Sequence, residues 1–306
     1  MESAGPLAGP DMERYTGRAM SHPQPLSPTA TSERSGAPPG GRTARRGPGA
    51  GSIALMVVLA AAYCVPRGPM WNADSRIFLT ASIVDRGQLD IDPFAVSTGD
   101  IASYGGHHYS DKAPGLSLAA IPVYVVVKYT LLGGRPYAAL FAVPQDQRLD
   151  FLPRYFLALI FSGIPTGLLS ALLYSFLARM GIRRGWRALL ALTYGLGTIA
   201  LPFSSVFFGH QLAALLVFGA FVVLFRIRRG ELRARYALAA GALVGYAVIT
   251  EYPTAIIAGS LAIYALTVRQ TGWKHVLLMA AGALPALVVA GVYNALAFGS
   301  PFSLGY

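Results

Sequence analysis

Apolar residues along this chain gather into long uninterrupted runs instead of alternating with polar ones. The runs fall near residues 51–66, 114–133, 155–178, 188–206, 211–225, 236–250, 253–268 and 275–297. A helix needs about 20 apolar residues to cross the hydrocarbon of a bilayer, and most of these runs approach that length. They are rich in Ala, Leu and Gly and lack the ten-residue alternation of barrel strands, so they predict helices. The run at 51–66 is short, and the two that flank Glu251 read as one interrupted stretch. The expected fold class is therefore all-α, a polytopic transmembrane helical bundle whose number of crossings stays open.

The polar intervals add a second layer. Residues 67–113 form the longest connection and hold Asp74, Asp85, Asp90, Asp92, Asp100 and Asp111. Within it Ile77, Phe78, Ala81 and Val84 recur at helical spacing, with Asp85 and Arg86 off that stripe and Gly87 as a stop. This predicts an amphipathic helix along the bilayer surface, headed by Asp74. Residues 1–50 carry eight prolines and eight glycines and few large apolar groups. Such a segment buries too little surface to offset its ordering entropy, so a disordered cytoplasmic tail is expected ahead of a membrane domain at 51–306. No cleavable leader stands out, and Met12 and Met20 offer alternative starts.

Composition and charge sharpen this picture. Of 306 residues, 54% are hydrophobic and 13% charged, and the mean hydropathy is +0.49, far from the balance of a soluble domain. The net charge of +11 resides largely in arginines between apolar runs, where membrane orientation explains it better than nucleic-acid binding does. Arg179 to Arg187, Arg226 to Arg235, and Arg269 with Lys274 then mark the cytoplasmic side. The opposite side receives 67–113, the FGHQ stretch at 208–211, Glu251 and the terminal FGSPFSLGY. This sorting needs an odd number of crossings between 113 and 179, yet two apolar runs lie there. The favoured resolution is that 114–133 dips in and returns at Pro122; the alternatives are that 155–178 divides at Ser162 to Gly167 or that the arginine rule fails once. The lone Cys64 excludes a disulfide framework.

Several residues carry potential chemistry. Asp74 reads either as a helix N-cap or as a general base or metal ligand at the interface. Arg76 suits a phosphate or a surface salt bridge. Pro114 opens the next helix, which puts Asp111 and Lys112 at its mouth, either completing the helix dipole and snorkelling or forming an anion site. His107 and His108 with Asp111 do not make a convincing closed zinc set. His210 reads as a hydrogen-bonded helix-end residue or a substrate contact. Glu251 lies between apolar halves and so needs a wet cavity or a cationic partner. P-loop, GxGxxG, HExxH and GxSxG elements are missing from the sequence.

Two elements give the chain a family likeness: Asp74 in "NADSR" soon after the first apolar run, and Gly106, Tyr109, Asp111, Lys112 and Pro114 in a G-x-x-Y-x-acid-K-x-P arrangement. Over residues 51–306 the chain resembles the GT-C superfamily of membrane glycosyltransferases that use polyprenyl-phosphate sugars, nearest the protein O-mannosyltransferases and aminoarabinose transferases. "FGHQ", "TEYP" and "FGSPFSLGY" are similar to stretches in bacterial members. The resemblance implies a multi-pass plasma-membrane enzyme that transfers a sugar, with inversion, to a hydroxyl of a glycan, lipid or protein at the outer face. It implies Asp74 as the catalytic acid-base residue, Arg76 and Lys112 on the donor phosphate, and Tyr109, Asp111, His210 and Glu251 around the cavity. No cofactor is fixed, and a divalent metal on Asp74 stays open. Ser75 stands where O-mannosyltransferases often place a second acid, and family members continue through more helices, so a truncated, inactive scaffold is a further expectation. The rival class is a secondary transporter or flippase for a lipid-linked or small polar substrate, with Glu251 and Asp111 as coupling groups; no internal repeat supports it.

Overall fold

An apolar chain in a low-dielectric surrounding satisfies its backbone most cheaply within a helix, and a computed structural model of this chain is 74% helical with almost no strand. It describes residues 48–65, 68–142, 149–268 and 272–305. The expected tail at 1–50 falls almost wholly outside the described residues.

The helices are α1 (Ala50–Cys64), α2 (Trp71–Arg86), α3 (Gly115–Leu131), the single turn α4 (Ala139–Ala142), α5 (Phe151–Ala158), α6 (Ile164–Arg179), α7 (Arg184–Gly197), the short α8 (Ala200–Ser204), α9 (His210–Arg228), α10 (Ala237–Thr250), α11 (Thr254–Leu266) and α12 (Gly272–Phe298). A π-helical stretch at Leu159–Gly163 joins α5 to α6 without a break. Among the described residues, three helical stretches are long and apolar enough to cross a membrane: Phe151–Arg179, His210–Arg228 and Gly272–Phe298. Four shorter apolar helices accompany them, at Ala50–Cys64, Gly115–Leu131, Ala234–Thr250 and Thr254–Leu266.

Packing follows small residues. Helix α10 lies against α12 and α9, while α1 lies against α6 and α7. Where α10 meets α12 the backbones nearly touch, since a Cβ on Gly282 would sit 2.0 Å from the Leu238 carbonyl oxygen and one on Gly241 2.0 Å from that of Met279. Gly241 and Gly245 form a small-xxx-small face of the kind that lets apolar helices approach without a hydrophobic driving force.

The 67–113 connection is a structured unit. Helix α2 is followed by a 3₁₀ turn at Asp92–Ser97 and an antiparallel hairpin, β1 (Ile101–Tyr104) and β2 (His107–Ser110). Gly105 and Gly106, both at positive φ, close the hairpin as a two-residue turn that only glycine adopts freely. Phe78 of α2 stacks on Phe94 of the 3₁₀ turn at 4.4 Å between centroids, and Tyr137 and Phe141 pack around the pair.

Three expectations require correction. Helix α2 is enclosed on all sides from Ala73 to Ser82 instead of presenting a polar face, because α3, the hairpin and the 3₁₀ turn pack around it. The 114–133 run does not return at Pro122: α3 is one uninterrupted helix that carries the proline inside it. The 188–206 run is not one span, since α7 ends at Gly197 and Thr198 is extended before α8 begins. Gly87 does cap α2, at φ 68° with its N–H on the Ile83 carbonyl and the following Gln88 N–H on that of Ser82, as its sequence position implies.

Candidate functional site

Helix α2 supplies the buried charges. Met70, not Asp74, is its N-cap, and Asp74 sits in the fourth helical position with its Oδ2 accepting the Met70 N–H at 3.0 Å. A carboxylate reaching back in this way satisfies an amide that the helix leaves open. Its Oδ1 is ion-paired with Arg154 of α5, and Asp74 is 0% exposed. Arg154 also holds Asp150, which accepts the Tyr137 hydroxyl.

Arg76 is 1% exposed, and its guanidinium is spent on the protein. Nη2 donates to Glu251 Oε1 at 2.7 Å, Nη1 to the Thr250 and Ala113 carbonyls at 3.3 and 3.5 Å, and Nε to Asn72 at 3.2 Å. His210 Nδ1 lies 3.4 Å from the same Glu251 oxygen. Gly209 packs directly against that carboxylate. Helices α2, α9 and the break between α10 and α11 therefore meet at one charge cluster.

Next to Asp74 in sequence, Ser75 Oγ lies 2.8 Å from Ser110 Oγ, and Ser110 in turn accepts the Lys112 N–H. The exit of β2 is thus fastened to the first turns of α2. Lys112 bridges Asp100 and Asp111 at 3.0 and 2.9 Å. Burial lowers its pKa, but the hydrogen bonds to Asp111 and Asp100 outweigh this and raise it above the ordinary value, so the ammonium stays charged. Asp111 keeps Oδ1 without a hydrogen-bond partner. The Tyr109 ring meets Phe298 edge-on at 5.3 Å.

Two apolar grooves flank residues 251–253. The first, of 720 Å³, runs between α6, α7, α9 and α11 along Leu173, Val217, Phe221 and Ile257, and ends at Tyr194, His210, Glu251 and Thr254. Helices α9 and α11 both begin at that polar end, so the positive ends of two helix dipoles face it. The second, of 730 Å³, runs between α10 and α12 and includes Tyr252 and Asn294. Of the residues singled out in the sequence, His210 and Glu251 line the first groove, with Arg76 directly behind Glu251. Asp74, Tyr109, Asp111 and Lys112 line neither groove and have separate partners: Asp74 is held by Met70 and Arg154, Lys112 by Asp100 and Asp111, and Tyr109 meets Phe298.

Sequence reasoning missed a second buried network. Asp85 is not on a water-facing edge: its carboxylate pairs with Lys128 at 2.8 Å and accepts from the Tyr124 hydroxyl and the Tyr137 N–H at 2.9 and 2.7 Å. The usable signal was Lys128 itself, a charge inside an apolar run, which calls for a buried partner. Arg154, at the edge of another run, carried the same signal for Asp74.

No protein-family model, curated protein or solved structure matches this chain.

Proposed function

We propose that this chain is a multi-pass membrane glycosyltransferase that moves a sugar, with inversion, from a polyprenyl phosphate to an acceptor hydroxyl at the outer membrane-water interface. One observation carries the reading: the 720 Å³ apolar groove whose polar end gathers Glu251, His210, Tyr194 and two helix N-termini. A prenyl chain is a flexible hydrocarbon that gains from Leu, Val and Phe walls. Its phosphate gains from the helix ends and His210, because Glu251 is already neutralised by Arg76 and does not repel it.

A polyprenyl phosphate leaves readily and needs little protonation, so the enzyme's work is to neutralise its charge and activate the acceptor. His210 and the helix ends meet the phosphate, while Arg76 fixes Glu251 and through it the shape of the cavity. Lys112, Asp111 and Tyr109 lie outside this groove, with the Lys112 ammonium already neutralised by Asp100 and Asp111, and are assigned no part in donor binding. Asp74 lines neither groove and its carboxylate is held by Arg154 and the Met70 N–H, so general-base action by it, worth about 10²- to 10⁴-fold where it operates, requires the Arg154 pair to open toward an acceptor hydroxyl.

The test is transfer from a radiolabelled polyprenyl-phosphate sugar by purified protein. His210→Ala and Asp74→Asn are expected to lower the rate by about 10²-fold or more, with circular dichroism unchanged. Undiminished transfer in Asp74→Asn removes that residue from the mechanism. A wild type that transfers nothing but drives proton-coupled uptake into vesicles overturns the proposal in favour of a transporter with Glu251 as the coupling group.

A further inference from the structure

Helix α12 carries Leu284, Val288, Gly291 and Ala295 at the four-three-four spacing that keeps side chains on one face of a helix. Gly291 and Ala295 are small, so this face is hollow toward its end, and α10 packs beside it. The hollow is part of the second groove, of 730 Å³, a volume in the range that holds a small ligand. Leu284, Leu287, Val288, Phe302 and Leu304, which line it, are all exposed.

One lining residue does not fit an apolar trough. Asn294 is 3% exposed, and its Oδ1 has no hydrogen-bond partner. The amide is held in one orientation, because Nδ2 donates to the Pro301 carbonyl at 3.3 Å and a flipped amide would set oxygen against oxygen. The unmet group is therefore an acceptor, and what satisfies it must bring an O–H or N–H. Tyr252 is the other polar side chain of the lining, and no lining residue among those described is charged. A phosphate or an ammonium here would lose its water with no opposite charge in exchange. Asn294 also lies one turn from the end of α12 at Phe298, and α12 is long and apolar enough to cross a membrane. A bilayer lipid keeps its polar head at such a level while its chain runs toward the middle.

We propose that this groove binds a neutral lipid of the long-chain alcohol class, its hydroxyl donating to Asn294 Oδ1 and its hydrocarbon lying along α12. The hydroxyl supplies the bond that the groove leaves open, and the tail covers the exposed Leu and Val side chains. Charge separates the two grooves. His210 and two helix N-termini favour an anion in the first, whereas the unmet group in the second is a neutral acceptor. The inference does not rest on the transferase reading, since it needs neither a sugar donor nor turnover.

The experiment photolabels the purified full chain, in neutral detergent, with a long-chain alcohol that carries a diazirine, and maps the adducts by mass spectrometry. The competitors are one hydrocarbon chain ending in a hydroxyl, a methyl ether or a phosphate. In wild type, adducts are expected on α12 and residues 301–304, and the alcohol is expected to compete at least about tenfold better than the ether or the phosphate. Asn294→Leu, which keeps the size of the residue, is expected to erase that preference while the ether competes as before; the unchanged ether arm shows that the variant is folded. Tyr293→Phe, which removes an unpartnered buried hydroxyl outside the groove lining, is expected to keep the preference, and Gly291→Trp to lose the label. Should Asn294→Leu fail to fold, the comparison of alcohol with ether in wild type still decides. Equal competition by the two in wild type, or a preference that survives Asn294→Leu, overturns the proposal and leaves a groove that takes hydrocarbon without reading its head. Stronger competition by the phosphate, or adducts confined to the first groove, overturns it as well. Cross-links between chains in place of lipid adducts assign the groove to a second copy, and the proposal fails.

Discussion

At the scale of single residues, the feature that most constrains this molecule is the pairing of Arg76 with Glu251 across 175 positions of sequence. Taking both charges out of water costs several kcal/mol, which their mutual attraction offsets only while both are present. Removing one partner leaves the other buried and uncompensated. Glu251→Gln is therefore expected to destabilise the protein by about 3–5 kcal/mol, seen as a lowered melting temperature in detergent. The double variant Arg76→Met with Glu251→Gln is expected to recover much of that loss. Equal melting of Glu251→Gln and wild type shows that the pair is not buried as described. The need for a partner at Glu251 is legible in the sequence, because a carboxylate between two apolar halves has few alternatives. The identity of the partner is not legible, since Arg76 reaches it from α2 through a fold that no local pattern encodes.

At the scale of elements, periodicity predicts α2 and its stop at Gly87, but not its surroundings. A helical stripe of Ile77, Phe78, Ala81 and Val84 reads the same whether the remaining face meets water or a second layer of protein. Here the second layer consists of α3 and the hairpin, so Asp74, Arg76 and Asp85 are paired indoors. The Gly105–Gly106 turn between two short polar strands is a readable hairpin signal. Pro122 misleads for another reason: the neighbours of a helix in an apolar bundle hold it together where an isolated helix would bend. The close approach of α10 and α12 yields a direct prediction. Valine at Gly282 would place carbon where the Leu238 carbonyl oxygen lies, at 2.0 Å, so the helices must separate. Gly282→Val is expected to cost at least about 1–3 kcal/mol and to lower the melting temperature, whereas Gly259→Val, with open space around its Cβ position, is expected to leave it nearly unchanged.

At the scale of the whole molecule, the break at residues 251–253 gives two grooves of similar size different chemistry. The sequence shows the break through Glu251 and Pro253, yet neither groove is legible in it, because their walls come from helices scattered between residues 169 and 304. Glu251 turns into the 720 Å³ groove, where His210 and two helix N-termini supply positive potential, whereas Tyr252 turns into the 730 Å³ groove. Only the first pairs an apolar trough with an anion-favouring end, which is the combination a lipid phosphate requires. Ala214 lines that trough, one turn from His210, and tryptophan there would fill it. Under the proposed function, Ala214→Trp is expected to reduce polyprenyl-phosphate sugar turnover on the order of 10²-fold, because a displaced donor would lose the alignment on which transfer depends. Gly291→Trp, which occludes the second groove, is expected to leave donor binding unchanged when a photoreactive polyprenyl phosphate is cross-linked and its attachment site mapped by mass spectrometry. Label on α9 and α11 that disappears in Ala214→Trp places the donor in the first groove. Label distributed equally over both grooves, and unaffected by either substitution, shows that the polar end does not select the phosphate and that the charge cluster of Arg76, Glu251 and His210 serves the fold instead of the substrate.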